Sequence, residues 1–130
     1  MLFRSVVNGI WDAGYGFQVS GLYFYGSGQR FATTYGRGDR PRLRADGSIV
    51  PRNNFVGLPI HRVDARLQRR FAIGGRRGVD GIVEVYNLFN HANYGAYTLA
   101  ESNASYAKPV QNIGIAYQPR MVQLGFRIVF

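Results

Sequence analysis

The chain has 130 residues, 16 of them basic and 7 acidic for a formal charge of +9; all but one of the basic residues are arginine, and there is no cysteine. The missing thiols exclude disulfide stapling and thiolate metal sites, and the absence of any run of about 18 apolar residues excludes a transmembrane helix. The arginines are scattered through loops and one strand amid 15% aromatic residues and 17 glycines, a distribution that argues against a nucleic-acid partner.

The opening segment, MLFRSVVNGIWDAG, lacks a basic stretch followed by a sustained apolar core and cleavage site, so it does not read as a signal peptide. Residues 3–11 read as a strand, with Phe3, Val7, Gly9 and Trp11 on one side and Arg4, Asn8 and Ile10 on the other. A turn over residues 12–16, DAGYG, leads into a second strand at 17–28. There Phe17, Val19, Tyr23 and Tyr25 face outward, and Gln18, Ser20 and Gly26 face inward together with Leu22 and Phe24. Residues 27–59 hold neither period for long and read as one long loop, with a strand extension near Phe31 to Tyr35. The tripeptide Arg37-Gly38-Asp39 within it is too short to count as an adhesion motif.

Strict alternation returns at residues 62–73, where Val63, Ala65, Leu67, Phe71 and Ile73 oppose Arg62, Asp64, Arg66, Gln68 and Arg70. Arg69 alone breaks the apolar side, near a turn where a long side chain can snorkel to water. After GGRRG at 74–78, residues 79–90 run back with Val79, Val83, Val85 and Phe89 against Asp80, Glu84 and Tyr86. Closing this hairpin with position numbers summing to a constant pairs Leu67 with Val83, Phe71 with Val79, Arg66 with Glu84 and Arg70 with Asp80. Opposite charges then match twice on one face. A second polar stretch, 91–119, precedes the last strand, 120–130, whose Val122, Leu124, Phe126, Ile128 and Phe130 form a continuous apolar side. Placing Phe130 opposite Val79 sets Gly125 opposite Glu84. Arg127 then reaches Glu84 or Asp80 diagonally, and Glu84 is expected to centre a cluster of Arg66, Glu84 and Arg127, with Asp80 and Arg70 alongside.

The expected fold is therefore all-β, an antiparallel up-and-down meander of about five strands. Its connections alternate short, long, short, long, as in a membrane barrel with tight turns at one end and long loops at the other. Strand alternation alone also fits a soluble β-sandwich or edge-pairing interaction module without catalytic activity. No catalytic, cofactor or metal constellation is read from the sequence. His61 and His91 stand alone as loop histidines, and Asp64, Asp80 and Glu84, interleaved with Arg62, Arg66 and Arg70, read as a charge ladder rather than a general acid/base set.

Residues 62–95, RVDARLQRRFAIGGRRGVDGIVEVYNLFNHANYG, together with 119–130, PRMVQLGFRIVF, resemble the C-terminal end of a TonB-dependent outer-membrane receptor. The group is the one whose full-length members begin with a carboxypeptidase-regulatory-like domain. Glu84 to Asn90 is similar to the family's V-x-N-L-F-N segment, and Pro119 to Leu124 to the P-R-x-x-x-L lead into the last strand. The resemblance implies that residues 1–130 are the C-terminal part of a plugged barrel of about 22 strands in the outer membrane of a Gram-negative-type bacterium. It implies that the remaining strands, the plug domain and the TonB-contacting segment lie outside this sequence. The implied partners are outer-membrane lipid, TonB, the barrel-assembly machinery, which would read Val122, Leu124, Phe126, Ile128 and Phe130, and an external ligand. On this reading Arg66, Arg70, Asp80, Glu84 and Arg127 line the lumen.

Overall fold

The computed structural model describes residues 3–36, 38–110 and 118–130; Arg37 of the Arg-Gly-Asp tripeptide and residues 111–117 of the second polar stretch lie outside them. Seven strands occur: β1 (Arg4–Gly14), β2 (Phe17–Gly26), β3 (Arg30–Phe31), β4 (Phe55–Val56), β5 (Ile60–Gly74), β6 (Arg77–Tyr86) and β7 (Met121–Val129). The long strands form one five-stranded antiparallel sheet in the order β1-β2-β5-β6-β7, and β3 pairs with β4 in a separate ladder. The described residues contain no helix. Chain contacts divide them into two compact units: one of Gly26–Ile60, residues 93–110 and Phe3, the other of Arg4–Tyr25, His61–Ala92 and Gln118–Phe130.

The sheet unit follows the period of two. Arg66 pairs with Glu84, Leu67 with Val83, Arg70 with Asp80 and Phe71 with Val79, as the hydrophobic pattern and the charges require. The β5–β6 turn is tighter than expected. Both strands extend to a two-residue connection, with the register shifting between Ala72 and Gly74. Gly74 and Gly75 carry φ of 129° and 60°, a left-handed excursion that glycine makes without a Cβ penalty.

Two expectations are corrected at the other end of β6. The strand stops at Tyr86, and residues 87–90 form a corner in which Asn87 and Asn90 both have positive φ. Asparagine tolerates that backbone because its side chain supplies local hydrogen bonds. Here the Asn87 amide Nδ2 donates to the carbonyls of His91 (3.0 Å) and Gln118 (3.1 Å), and its backbone N–H donates to Asp64 Oδ1 at 2.9 Å. The same corner fixes β7, since the Arg120 N–H donates to Asn90 Oδ1 at 2.9 Å. As a result β7 pairs two residues away from the expected register. Ile128 rather than Phe130 faces Val79, Gln123 rather than Gly125 faces Glu84, and Arg127 faces Asp80 directly. An even shift leaves every side chain on its face, so the apolar pattern could not discriminate between the two registers.

Alternation places Trp11, Val19, Leu67, Phe71, Val83, Val122, Leu124, Phe126 and Ile128 on one face of the sheet. All are exposed, from 38% at Val19 to 77% at Phe126. The sheet has no apolar core of its own: among the described residues the only buried hydrophobic side chains, Val50 and Tyr97, lie in the other unit.

That second unit corrects the reading of residues 27–59, and of residues 93–110 within the second polar stretch, as plain connections. The β3–β4 ladder is short, Arg30–Phe31 against Phe55–Val56, and ends before the expected extension to Tyr35. Around it Phe31 and Phe55 contact the Tyr97 ring at centroid distances of 5.5 and 5.0 Å, and Tyr106 lies 6.3 Å from Phe55. The Leu58 N–H donates to the Tyr97 hydroxyl at 2.7 Å, so this mostly buried ring keeps a polar partner. Gly28 is required by close approach, because a Cβ there would overlap the Gly57 carbonyl. Gly28→Ala is expected to destabilise this unit by about 1–3 kcal/mol, as overpacking does. Limited proteolysis should then cut residues 26–60 faster while strands β5 to β7 keep their resistance.

Candidate functional site

Most of the charged side chains of the long strands gather on the face opposite the apolar one. All four of the carboxylates Asp12, Asp64, Asp80 and Glu84 lie there, since each alternates with apolar-face neighbours along its strand. Asp80 is fully buried, closed in by β5 and β7 on either side of its strand. The Arg127 guanidinium donates to Asp80 Oδ2 from Nε at 2.9 Å and from Nη2 at 2.5 Å. Arg70 Nε lies 3.9 Å from Oδ1, close enough for an ion pair but too far for a hydrogen bond, and Oδ1 has no hydrogen-bond donor. The second pair is looser: Arg66 Nε lies 3.7 Å from Glu84 Oε1, and the Tyr86 hydroxyl donates to Oε2 at 3.3 Å.

The expected site residues are therefore brought onto one face, with a different centre. Of the two carboxylates expected within diagonal reach of Arg127, it is Asp80 that it holds, because the two-residue shift of β7 sets Arg127 directly opposite. The ladder continues across β5 and β2: Arg62 Nη2 lies 2.6 Å from Asp64 Oδ2, Arg66 Nη2 donates to Gln68 Oε1 at 3.0 Å, and Gln18 Nε2 donates to Asp12 Oδ1 at 2.8 Å. An open groove of about 670 Å³ runs over this face, lined by Asp12, Gln18, Arg66, Gln68, Arg70 and Arg127 among others. Its side chains offer charge-assisted hydrogen bonds.

Val122, Leu124, Phe126 and Ile128 share the apolar face of β7, whereas Phe130 lies beyond the strand and is 98% exposed. The histidines depart from expectation. The 87–90 corner carries His91 back toward β5, so that the His61 and His91 rings meet edge-on at 5.3 Å. The Tyr23 hydroxyl lies 2.9 Å from His61 Nδ1, and the Tyr25 ring lies 5.1 Å from the His61 ring. This aromatic group sits at the long-connection end of β2 and β5. Among the described residues no group of three or more His, Cys, Asp or Glu side chains is placed to hold a metal ion.

In the loop unit Arg44 grips Glu101 with two hydrogen bonds, Nε to Oε2 at 2.7 Å and Nη2 to Oε1 at 2.9 Å. That hydrogen bonding holds the Glu101 carboxyl below its ordinary range and the Arg44 guanidinium above its own, against the opposing effect of desolvation. Nothing in the sequence marked this pair, whose members stand 57 positions apart.

No protein-family model matches the chain, and neither the curated proteins nor the solved structures contain a match to it.

The two carboxylates of the polar face differ in what they hold. Asp80→Ala is expected to cost about 1–3 kcal/mol, the range for hydrogen bonds to a charged group. Glu84→Ala should cost only about 0.2–1 kcal/mol, as for an exposed pair. Urea midpoints measured in one detergent would rank them. The Arg44–Glu101 pair makes a pH prediction. Because the folded Glu101 carboxyl lies below its unfolded value, its contribution is complete above about pH 4.3 and is lost as pH falls through the lowered folded value. Amide exchange in residues 26–60 and 93–110, corrected for intrinsic rates, should stay level above about pH 5 and accelerate in stronger acid. Glu101→Gln should weaken that dependence and leave the share of Asp46, whose carboxyl the Ser48 hydrogen bonds also hold below its ordinary range.

Proposed function

We propose that the chain is a wall segment of an outer-membrane β-barrel, of the TonB-dependent receptor kind, that takes up or binds an external ligand. The observation that supports this best is the division of the sheet into an uncovered apolar face and a face that carries every strand carboxylate. A soluble sheet places its apolar face against a second layer, whereas these side chains stand open to solvent. Lipid is the environment that suits such a face. From Val63 to Ile73 the apolar side of β5 runs about 33 Å, which a tilt of about 40° reduces to about 25 Å, the height of the apolar band of such barrels.

The ends of the sheet fit the same reading. Short turns join β1 to β2 and β5 to β6, while β2 joins β5 and β6 joins β7 through long connections. Tyr23, Tyr25, His61 and His91 would lie in the aromatic girdle on the long-loop side. The paired arginines and carboxylates would line the lumen, where alternate strand residues face water. β1 and β7 each have one neighbour in the sheet, and their open edges would pair with the remaining strands, since lipid leaves no other partner for backbone groups. A plug domain, TonB and the barrel-assembly machinery complete the proposed set of partners.

The reading is tested by fractionation and labelling of the protein expressed from its own gene. It should sediment with membranes, require detergent for release, and float with lipid vesicles. In intact cells an impermeant thiol reagent should modify Ala45→Cys and spare Arg76→Cys. A monodisperse monomer in plain buffer would instead establish the soluble interaction module, and labelling at residue 76 alone would reverse the orientation.

A further inference from the structure

All strand carboxylates lie on the polar face, yet two arginines lie on the apolar one. Arg69 alternates with Leu67 and Phe71 along β5, and Arg77 alternates with Val79 and Gly81 along β6. A guanidinium on a lipid-facing surface costs about 2–4 kcal/mol at mid-membrane, so its depth and its partners matter. Arg69 pairs with Gly81, and Arg77 stands about four residues, or roughly 13 Å, nearer the turn. With a tilt of about 40° that is about 10 Å of depth, comparable to the reach of an arginine side chain plus the interfacial layer. Arg76 occupies the turn itself and is exposed.

The surroundings of Arg69 are specific. Its guanidinium carbon lies 4.6 Å from the centroid of the Phe17 ring and 4.9 Å from that of Phe71. Both rings therefore lie within cation–π range of the guanidinium. Gly81 beside it has no side chain, and Phe126 stands on the far side of Gly81 in the same cross-strand row. The Phe71 ring overlies Gly81, its edge 3.6 Å from where a Cβ would stand, so Phe17, Phe71 and Phe126 make an aromatic patch around this one guanidinium. Among the described residues Arg69 has no acidic partner.

We propose that Arg69, with Arg76 and Arg77, binds the phosphodiester of an anionic phospholipid headgroup in the leaflet at the short-turn end, with its acyl chains lying against the aromatic patch of Phe17, Phe71 and Phe126. The proposal rests on the membrane-barrel reading above. Charge complementarity selects the occupant. This end of the apolar face has three arginine side chains and, among the described residues, no carboxylate side chain, and a phosphodiester accepts paired donors from a guanidinium. The aromatic walls select a lipid over free phosphate, because only an amphiphile satisfies the rings and the guanidinium together.

The test uses the whole protein, inserted into vesicles of phosphatidylcholine alone or of equimolar phosphatidylcholine and phosphatidylglycerol, with bound lipid counted by native mass spectrometry. Wild type should retain phosphatidylglycerol over phosphatidylcholine. Arg69→Gln should lower that preference about fivefold, the scale for one basic residue at an anionic surface. Arg69→Lys should restore part of it, since charge survives and the fork geometry does not. Arg52→Gln, an equal change of charge at an exposed loop position, should leave it unaltered. Insertion with no preference for phosphatidylglycerol, or an equal preference in Arg69→Gln, would overturn the proposal and leave the barrel reading standing. Failure of wild type to enter either vesicle would overturn both.

Discussion

A strand can present only two sets of side chains, and in this sheet the two sets suit different media. That constraint governs the rest of the structure. A slip of one residue between β5 and β6 would carry Arg66, Arg70, Asp80 and Glu84 to the face of Leu67 and Val83, and in the proposed barrel each arginine so moved would cost about 2–4 kcal/mol at mid-membrane. Register is therefore fixed to within an even number of residues by solvation, before any individual contact is considered. The same constraint removes the hydrophobic core. With the apolar face of the sheet exposed, cohesion comes from ladder hydrogen bonds and from cross-strand pairs.

Solvation does not choose among even shifts, and the choice falls to polar groups at the two ends of the last hairpin. At one end the 87–90 corner ties Asp64, His91 and Gln118 to Asn87, and Arg120 to Asn90. At the other, Arg127 closes on the buried Asp80. A carboxylate with no exposed surface is costly unless it is paired, so register and ion pair depend on each other. The unmatched Oδ1 beside Arg70 shows the pairing to be one-sided, with Arg127 making the hydrogen bonds and Arg70 contributing at longer range.

The loop unit is built on a different principle. Residues far apart in the chain meet around the Tyr97 ring and the Arg44–Glu101 pair, and the little apolar burial in the described structure is found there. Such a unit holds its surface side chains in fixed positions. In the proposed receptor this is where an external ligand would be met. Positioning of that kind favours recognition, because less conformational entropy is lost on binding.

By itself the sequence determined the five long strands, their faces and the β5–β6 register, because period-two alternation and opposite charges are local or nearly local signals carried by residues such as Leu67, Val83, Arg66 and Glu84. It also marked Arg69 as the exception on an apolar face. Tertiary structure decided what depends on contacts between distant segments. The β7 register turned on a corner whose asparagines look like a continuation of β6 until their backbone turns left-handed. The approach of His61 to His91 depended on that corner as well. The folded unit within the long connections rests on Tyr97 and Glu101, whose partners lie tens of residues away and follow no period. Burial of Asp80 belongs to this second group, since a strand position becomes inaccessible only when both of its neighbours are in place.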